Sequence, residues 1–254
     1  MKIEVLYPEV GNLYGELGNV RYLEASLEQS GIPYETIQTS LNERPRFLDA
    51  ENGIDFVYMG TMTERSQEVV ADVLRPLKEE IRAAAYRDVF LLATGNALEV
   101  FGTEVKDQDG EGGFQGIGLF PFHAVRTMDR HYNIFCTERY VKTREAKELV
   151  GFKCQFTQGF YDFDIDRDKD LWPLFQTQRG YGFHSGLQPE GLRYHNFMLT
   201  YVIGPIFVLN PYWMCEVMKE IGLEGFHPAY EKAAVEAYEV RLREFRDPKR
   251  NPIY

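Results

Sequence analysis

Thiol, imidazole and carboxyl groups are the side chains of this sequence that could perform nucleophilic or acid–base chemistry. The three cysteines are widely spaced and form no CxxC pair, so neither a zinc site nor a disulfide framework is indicated. Cys136, Cys154 and Cys215 are therefore interpreted as small core residues. Cys154 is kept as a candidate nucleophile, with His184, His195 or Glu99 as candidates for proton transfer.

The five histidines have ordinary interpretations as well. His123 and His131 fall in or beside predicted β segments, and His227 precedes Pro228 at a predicted helix start. His184 lies in the glycine-bounded segment GYGFHSG, which could line a pocket. Because no spacing matches a metal-binding motif, we predict neither a metal ion nor a cofactor.

The N-terminal part of the chain alternates between strand and helix patterns. Apolar runs bounded by turn residues predict strands over residues 2–7, 34–38, 56–59 and 88–93. Apolar residues at helical spacing predict a helix after the first strand and another over residues 64–86. This alternation indicates an α/β fold with three layers, in which helices cover both faces of a largely parallel central sheet. Ligand sites in such folds gather at the carboxyl ends of the strands, here near residues 7–8, 60–61 and 94–95.

The C-terminal part is predicted to be rich in β structure and to end in helices. Residues 106–116, KDQDGEGGFQG, predict an exposed loop without the spacing of an EF-hand. Asn210 is a plausible N-cap for the first of the closing helices. No linker or repeat is evident, so residues 1–254 are expected to form a single domain. The elements predicted there are β segments over 117–141 and 149–163, a strand ending in a turn over 193–205, and helices over 211–221 and from about Pro228 onward.

Charge and hydropathy exclude two classes of partner. The net charge is −11 and the pI is about 5.0, which opposes binding to the phosphates of nucleic acid. The basic residues of the last predicted helix alternate with acidic ones and are interpreted as a solvated face. No apolar run reaches the roughly 20 residues of a membrane-spanning helix, and the N-terminus lacks the apolar stretch of a signal peptide. We therefore expect a cytoplasmic protein with no nucleic-acid or membrane partner.

Four ordered segments point to a family. They are LYPEVGNLYGELGNV over 6–20, MGTMTERSQ over 59–67, ATGNALEVFG over 93–102, and the strand ending in YVIGP over 191–205. Together they resemble the class I glutamine amidotransferase domain, in the branch of cobyric acid synthase and the glutaminase subunit of lipid II isoglutaminyl synthase. The first segment is the most specific, and the third occupies the position of the nucleophile elbow. The resemblance spans most of the chain and implies a flavodoxin-like three-layer fold.

The sequence departs from the family at the reacting groups. In the family a cysteine thiolate attacks the side-chain amide of glutamine, a histidine carries the proton, and an oxyanion hole stabilises the intermediate. The matching positions hold Gly95, or Thr94 if the alignment shifts by one residue, and Ile203. Thr61 and Met62 replace glycines of the oxyanion loop. We therefore expect that the usual glutaminase chemistry is lost.

The resemblance leaves two classes of function open. One is a non-catalytic partner or ligand-binding subunit of a Mur-ligase-like, ATP-dependent amide-forming synthetase, in a cell-wall or cobalamin-type pathway. The other is an active glutamine amidotransferase that releases ammonia through a relocated nucleophile such as Cys154. In either case a small-molecule ligand is possible at the expected cleft. The polar residues expected to bind it are Tyr14, Asn19, Glu64, Arg65, Gln67, Asn96 and Glu99.

Overall fold

A computed structural model of the chain describes residues 1–87, 89–139 and 148–249. Within the second range, the side chains of residues 128, 131 and 133–139 lie outside the description. The side chains of His131 and Cys136, both considered above, are therefore among those not described, as are Asp88 and the end of the predicted 117–141 segment.

A seven-stranded central sheet organises the first part of the fold. Five of its strands, at residues 35–39, 2–6, 56–59, 90–94 and 197–200, are parallel, and two short strands at residues 192–194 and 171–172 are added at one edge, each antiparallel to the strand before it in the sheet. The predicted three-layer α/β architecture is thereby confirmed. In spatial order the strands are β2 (Glu35–Thr39), β1 (Lys2–Leu6), β3 (Phe56–Met59), β4 (Phe90–Thr94), β13 (Phe197–Thr200), β12 (Leu192–Tyr194) and β9 (Leu171–Trp172).

Helices cover both faces of this sheet because alternate residues of its strands point in opposite directions. In β3, Val57 packs with Val70 and Ile81 of two helices on one face. Its neighbour Tyr58 packs with Leu23 and Met214 of two helices on the other face. Each fully buried apolar side chain of this kind contributes about 1.5–3 kcal/mol. The helices are α1 (Gly18–Gln29), α2 (Glu64–Leu74), α3 (Lys78–Ala85), α4 (Ile206–Leu209), α5 (Pro211–Glu220) and α6 (Glu231–Arg246).

A second sheet is built from strands between residues 104 and 190, the two longest being β7 (Phe122–Arg139) and β8 (Glu148–Tyr161). Its longest strands, β7 and β8, pair antiparallel as a hairpin, and β8 carries residues that reach the central sheet through an isolated bridge between Phe152 and Ile203. The strands, in order, are β11 (Pro189–Glu190), β10 (Phe175–Arg179), β7 (Phe122–Arg139), β5 (Glu104–Asp107) and β6 (Gly113–Gln115), with β8 (Glu148–Tyr161) beside β7.

Several element predictions need correction. Residues 106–116 are not a plain loop, because β5 and β6 pair antiparallel around a turn with Gly110 at φ +78°. The predicted strand over 193–205 is a hairpin of β12 and β13 whose turn holds His195 at φ +51°. The helix predicted over 64–86 is divided by a 3-10 turn, Arg75–Leu77, which contains Pro76. The short helix α4 was not predicted, and α6 begins at Glu231, after Pro228.

Asn210 does not cap α5 with its side chain. Its Oδ1 accepts a hydrogen bond from the Val150 backbone N–H at 2.8 Å, and its Nδ2 donates to the Val150 carbonyl at 2.8 Å. The amide thus fastens β8 to the start of α5, a role that only the tertiary structure reveals. Within the described ranges, no helix is long and apolar enough to cross a bilayer.

Candidate ligand-binding cleft

The turn after β4 has the geometry of a nucleophile elbow. Gly95 follows the strand with φ +60°, in the left-handed region that favours glycine, and begins a 3-10 segment, Gly95–Phe101. A Cβ atom built on Gly95 would lie 2.0 Å from Thr61 Oγ1 and 3.1 Å from Ile203 Cγ2. The ends of β3, β4 and β13 therefore meet at one point, as the sequence predicted. Thr61 occupies the space that a side chain on residue 95 would need.

The loop after β3 is fastened to this elbow by Asn96. The Asn96 side chain accepts a hydrogen bond from the Met62 N–H at 3.0 Å and donates to the Met62 carbonyl at 2.8 Å. Thr61 Oγ1 also lies 3.4 Å from the Thr94 carbonyl oxygen. Since both polar groups of the Met62 backbone are already paired, the loop is held in one conformation against the elbow.

A buried carboxyl group, Glu16, connects the elbow with the segment after β13. Glu16 accepts hydrogen bonds from the Gly204 backbone N–H at 2.8 Å and the Thr94 hydroxyl at 2.7 Å. The Tyr58 hydroxyl donates a hydrogen bond to the backbone carbonyl oxygen of Glu16 at 3.0 Å, and Asn19 Nδ2 donates one to the Tyr58 hydroxyl oxygen at 2.9 Å. Burial raises the pKa of Glu16, although these hydrogen bonds oppose the shift. Sequence reasoning missed Glu16, which lies inside the most specific motif.

A small cleft with a volume of about 40 Å³ opens beside the elbow. Its walls come from the loop before α1, the loop before α2, the 3-10 segment and strand β8. The lining residues are Leu13, Tyr14, Thr61, Met62, Glu64, Gln67, Asn96, Glu99, Cys154, Gln155, Phe156 and Thr157.

Glu99 is the most deeply buried ionisable group of the cleft. Gln67 Nε2 donates to Glu99 Oε2 at 2.7 Å, and the Thr157 hydroxyl donates to Glu99 Oε1. Gln67 Nε2 also donates to the Asn96 carbonyl at 2.7 Å. Burial raises the pKa of the Glu99 carboxyl, and the hydrogen bonds from Thr157 and Gln67 lower it by less. The carboxyl is thus positioned rigidly while its charged form is disfavoured.

The stability of the wild-type protein relative to a Glu99→Gln variant is expected to fall as the pH rises. Because the folded-state pKa is raised, the contribution of Glu99 is full below the ordinary carboxyl pKa and is lost as the pH passes through the raised value. Glutamine can keep both contacts, since its oxygen accepts from Gln67 and its NH2 group donates to the Thr157 hydroxyl oxygen. Urea unfolding of both proteins across pH measures the difference. A difference that stays constant with pH would contradict the prediction.

Tyr14 and Cys154 form a pair at the mouth of the cleft. The Tyr14 hydroxyl lies 3.4 Å from Cys154 Sγ, and this contact, more than burial, raises the pKa of Tyr14 to about 12. Tyr14 has φ +62° and remains 54% exposed. Such a conformation costs about 1–3 kcal/mol in a residue other than glycine. No core packing offsets this cost, which is consistent with a role for the ring at the cleft.

The structure gathers most, but not all, of the predicted site residues. Tyr14, Glu64, Gln67, Asn96, Glu99 and Cys154 all line the cleft. Asn19 does not, because its amide is buried under α4, where its Oδ1 accepts from the Phe207 N–H at 2.8 Å. Arg65 is exposed on α2 outside the lining. Thr94 directs its hydroxyl to Glu16, so it does not present that group to the cleft.

The candidate histidines lie elsewhere. His184 stacks on Phe160 with ring centroids 4.7 Å apart, and burial lowers the pKa of its imidazole. His195 packs between Tyr86 and Tyr194 in the β12–β13 turn. Among the residues that the structure describes, no group of three or more His, Cys, Asp or Glu could hold a metal ion.

Gln155 and Thr157 were missed by sequence reasoning. Both lie on β8 next to Cys154, and both are buried. Their β-strand setting gave no signal of a site, because β8 meets the elbow through long-range contacts, the bridge between Phe152 and Ile203 and the hydrogen bond from Thr157 to Glu99.

The sheet order and the elbow with its left-handed glycine give a fold like that of solved glutamine amidotransferases. A solved glutamine amidotransferase structure matches with a TM-score of 0.50 and 11% identity, covering 87% of this chain and 99% of that chain. At that identity the match concerns the fold alone.

Two relatives carry a more particular name. The chain is 24% identical over 241 residues to the lipid II isoglutaminyl synthase (glutamine-hydrolyzing) subunit GatD of Streptococcus pneumoniae, covering 91% of this chain and 86% of the relative. It is 22% identical over 199 residues to the protein of the same name from Staphylococcus aureus, covering 78% and 75% of the two chains. No protein-family model matches the chain.

Proposed function

We propose that this chain is a single-domain, amidotransferase-like subunit that partners an amide-forming synthetase of the cell-wall type without hydrolysing glutamine itself. The absence of glutamine hydrolysis is proposed because Gly95, Thr61 and Ile203 meet at the elbow. The role as a partner of a synthetase is supported by the relatives, whose name describes a subunit of a lipid II isoglutaminyl synthase. That name favours a cell-wall role over a cobalamin-type one. The partner is expected to be an ATP-dependent, Mur-ligase-like enzyme.

The elbow lacks the groups that amide hydrolysis requires. Gly95 presents no side chain, and Ile203, within 3.1 Å of the position of a Cβ on residue 95, cannot carry a proton. The Thr61 side chain lies where a side chain on residue 95 would project. Met62, which follows it, is buried and has its N–H committed to Asn96. Nucleophile, proton carrier and oxyanion loop are therefore altered together at one place.

A second candidate is hydrolysis through Cys154. One observation favours it, because Cys154 lines the same cleft and contacts the Tyr14 hydroxyl. The described lining residues include no histidine that could serve as its base. Glu99, the other candidate for proton transfer, already accepts from Gln67 and Thr157.

Purified protein, alone and with its synthetase partner, is expected to release no more ammonia from glutamine than a heat-denatured sample. The physical reason is that neither a thiolate nor an imidazole is present at the elbow. A coupled ammonia assay measures this rate for the wild type and for Cys154→Ser. Release that is lost in Cys154→Ser would establish the second candidate instead. Failure to associate with any amide-forming synthetase encoded beside it would contradict the partner role.

A further inference from the structure

The outer face of helix α6 carries an apolar stripe. Ala233, Ala237 and Val240 follow one another at spacings of four and three residues, which places them on one face of the helix. All three are exposed, and Val240 keeps 46% of its surface accessible. The opposite face packs on the protein through Tyr238 and Phe245, both buried. A helix with apolar residues on two opposite faces is typical of one that packs on both sides.

The charges along α6 suit an antiparallel copy of the same helix. Residues 231–239 contain three Glu and one Lys, for a net charge of −2, and residues 240–246 contain three Arg and one Glu, for a net charge of +2. Two such helices attract each other side by side when they run in opposite directions. The helix as a whole is neutral, so the net charge of −11 lies elsewhere in the chain. Repulsion from those other charges is screened beyond about 8 Å at physiological ionic strength.

One register brings the stripe and the charges together. With a two-fold axis midway between positions 237 and 240, Ala237 of each copy packs against Val240 of the other, and the small alanines let the helices approach closely. Glu236 then lies beside Arg243 of the second copy at the edge of the stripe. Both side chains are exposed. A parallel pair would instead place the two Glu244 side chains next to each other, which like charge disfavours.

We propose that the outer face of α6 is a self-association surface, through which two copies of this chain pair with their α6 helices antiparallel. The interface is isologous, so the assembly closes as a dimer. A single helix pair buries little surface, and the dimer is therefore weak and dependent on protein concentration. The proposal goes beyond the proposed function, because α6 contributes no residue to the cleft. The two can fail separately.

Sedimentation of the intact protein over a series of concentrations tests for the dimer. A reversible equilibrium between monomer and dimer is expected, with the dimer fraction rising with concentration. A protein that stays monomeric up to its solubility limit would overturn the proposal. Larger assemblies without a dimer would overturn it as well, because an isologous interface closes after two copies.

Ala237→Glu tests whether the stripe is the contact surface. The substitution puts a carboxylate at the centre of the pair, opposite Val240 of the second copy, and is expected to abolish the dimer. Ala237 is exposed, so the fold of the monomer should be unaffected, which circular dichroism checks. The matched control is Ala83→Glu, the same change at an exposed position on α3, and should leave the dimer intact. A dimer that survives Ala237→Glu would show that another surface holds the two copies together.

Charge reversal tests the antiparallel register. Glu236→Arg and Arg243→Glu each turn two attractive pairs into two repulsive ones, so each alone should raise the dimer dissociation constant about 10-fold or more. An equimolar mixture of the two variants should recover the dimer, because the new arginine of one faces the new glutamate of the other. Glu68→Arg, exposed on α2, makes the same charge change away from the interface and should have no effect. A mixture that associates no better than either variant alone, or equal weakening by Glu68→Arg, would reject the proposed pairing.

Discussion

Installing both missing side chains, Gly95→Cys with Ile203→His, is expected to leave glutamine hydrolysis at background. A Cβ on residue 95 would stand 2.0 Å from Thr61 Oγ1, far inside any real contact, so either the cysteine or the oxyanion loop must move. Elbow nucleophiles tolerate the left-handed backbone, which means that φ +60° is not the obstacle. The obstacle is Thr61, whose hydroxyl lies where the side chain of residue 95 would project.

Adding Thr61→Gly to this double variant is expected to raise the rate by about 10²- to 10³-fold, the range that one oxyanion-hole donor is worth. The glycine removes the colliding atoms and lets the backbone approach a bound substrate. Ammonia release is measured for both variants, with circular dichroism to check folding. The matched control carries Thr61→Gly, Ile203→His and Gly95→Ala, which reproduces the backbone changes without a thiol. Turnover by the double variant as fast as by the triple variant would refute this explanation.

The second large effect is expected from Glu16→Ala, which should lower the free energy of unfolding by about 2–5 kcal/mol. Removing the carboxyl leaves the Gly204 N–H and the Thr94 hydroxyl without their acceptor, and each unsatisfied buried group costs about 1–3 kcal/mol. The Thr94 hydroxyl can turn toward Tyr58, 2.8 Å away, which sets the lower end of the range.

Urea denaturation of Glu16→Ala, Glu16→Gln and Glu28→Ala measures this effect. Glutamine retains one oxygen for Gly204 and should recover part of the loss. Glu28 is exposed on α1, the helix that follows Glu16, and its removal should change stability by less than about 0.5 kcal/mol. If Glu16→Ala costs no more than Glu28→Ala, the buried network does not hold the elbow together.

The two central strands β3 and β4 were predictable because each is a short run of buried residues, nearly all of them apolar. Phe56–Met59 was predicted with its observed bounds, and β1, β2 and β4 lie within one or two residues of prediction. The β5–β6 hairpin was not predictable in the same way. Its Asp- and Gly-rich sequence reads as a loop, and its strand character depends on pairing with β7, which is distant in sequence.

The residues of the cleft were predictable only in part. Motif residues marked Tyr14, Glu64 and Gln67, but they also marked Asn19, which hydrogen-bonds inside the core. Sequence spacing cannot separate a side chain that faces a cleft from one that faces the packed side of the same loop.

The sequence by itself determined which chemical groups exist at each position: glycine at 95, isoleucine at 203, threonine at 61, and an acidic chain of net charge −11. Only the tertiary structure decided that these three residues meet and that Thr61 and Gln155 line the same cleft. The physical reason is that such proximity comes from long-range contacts. Glu16 reaches Thr94 across 78 positions and Gly204 across 188, and hydrogen bonds of that span form only when the whole sheet has assembled.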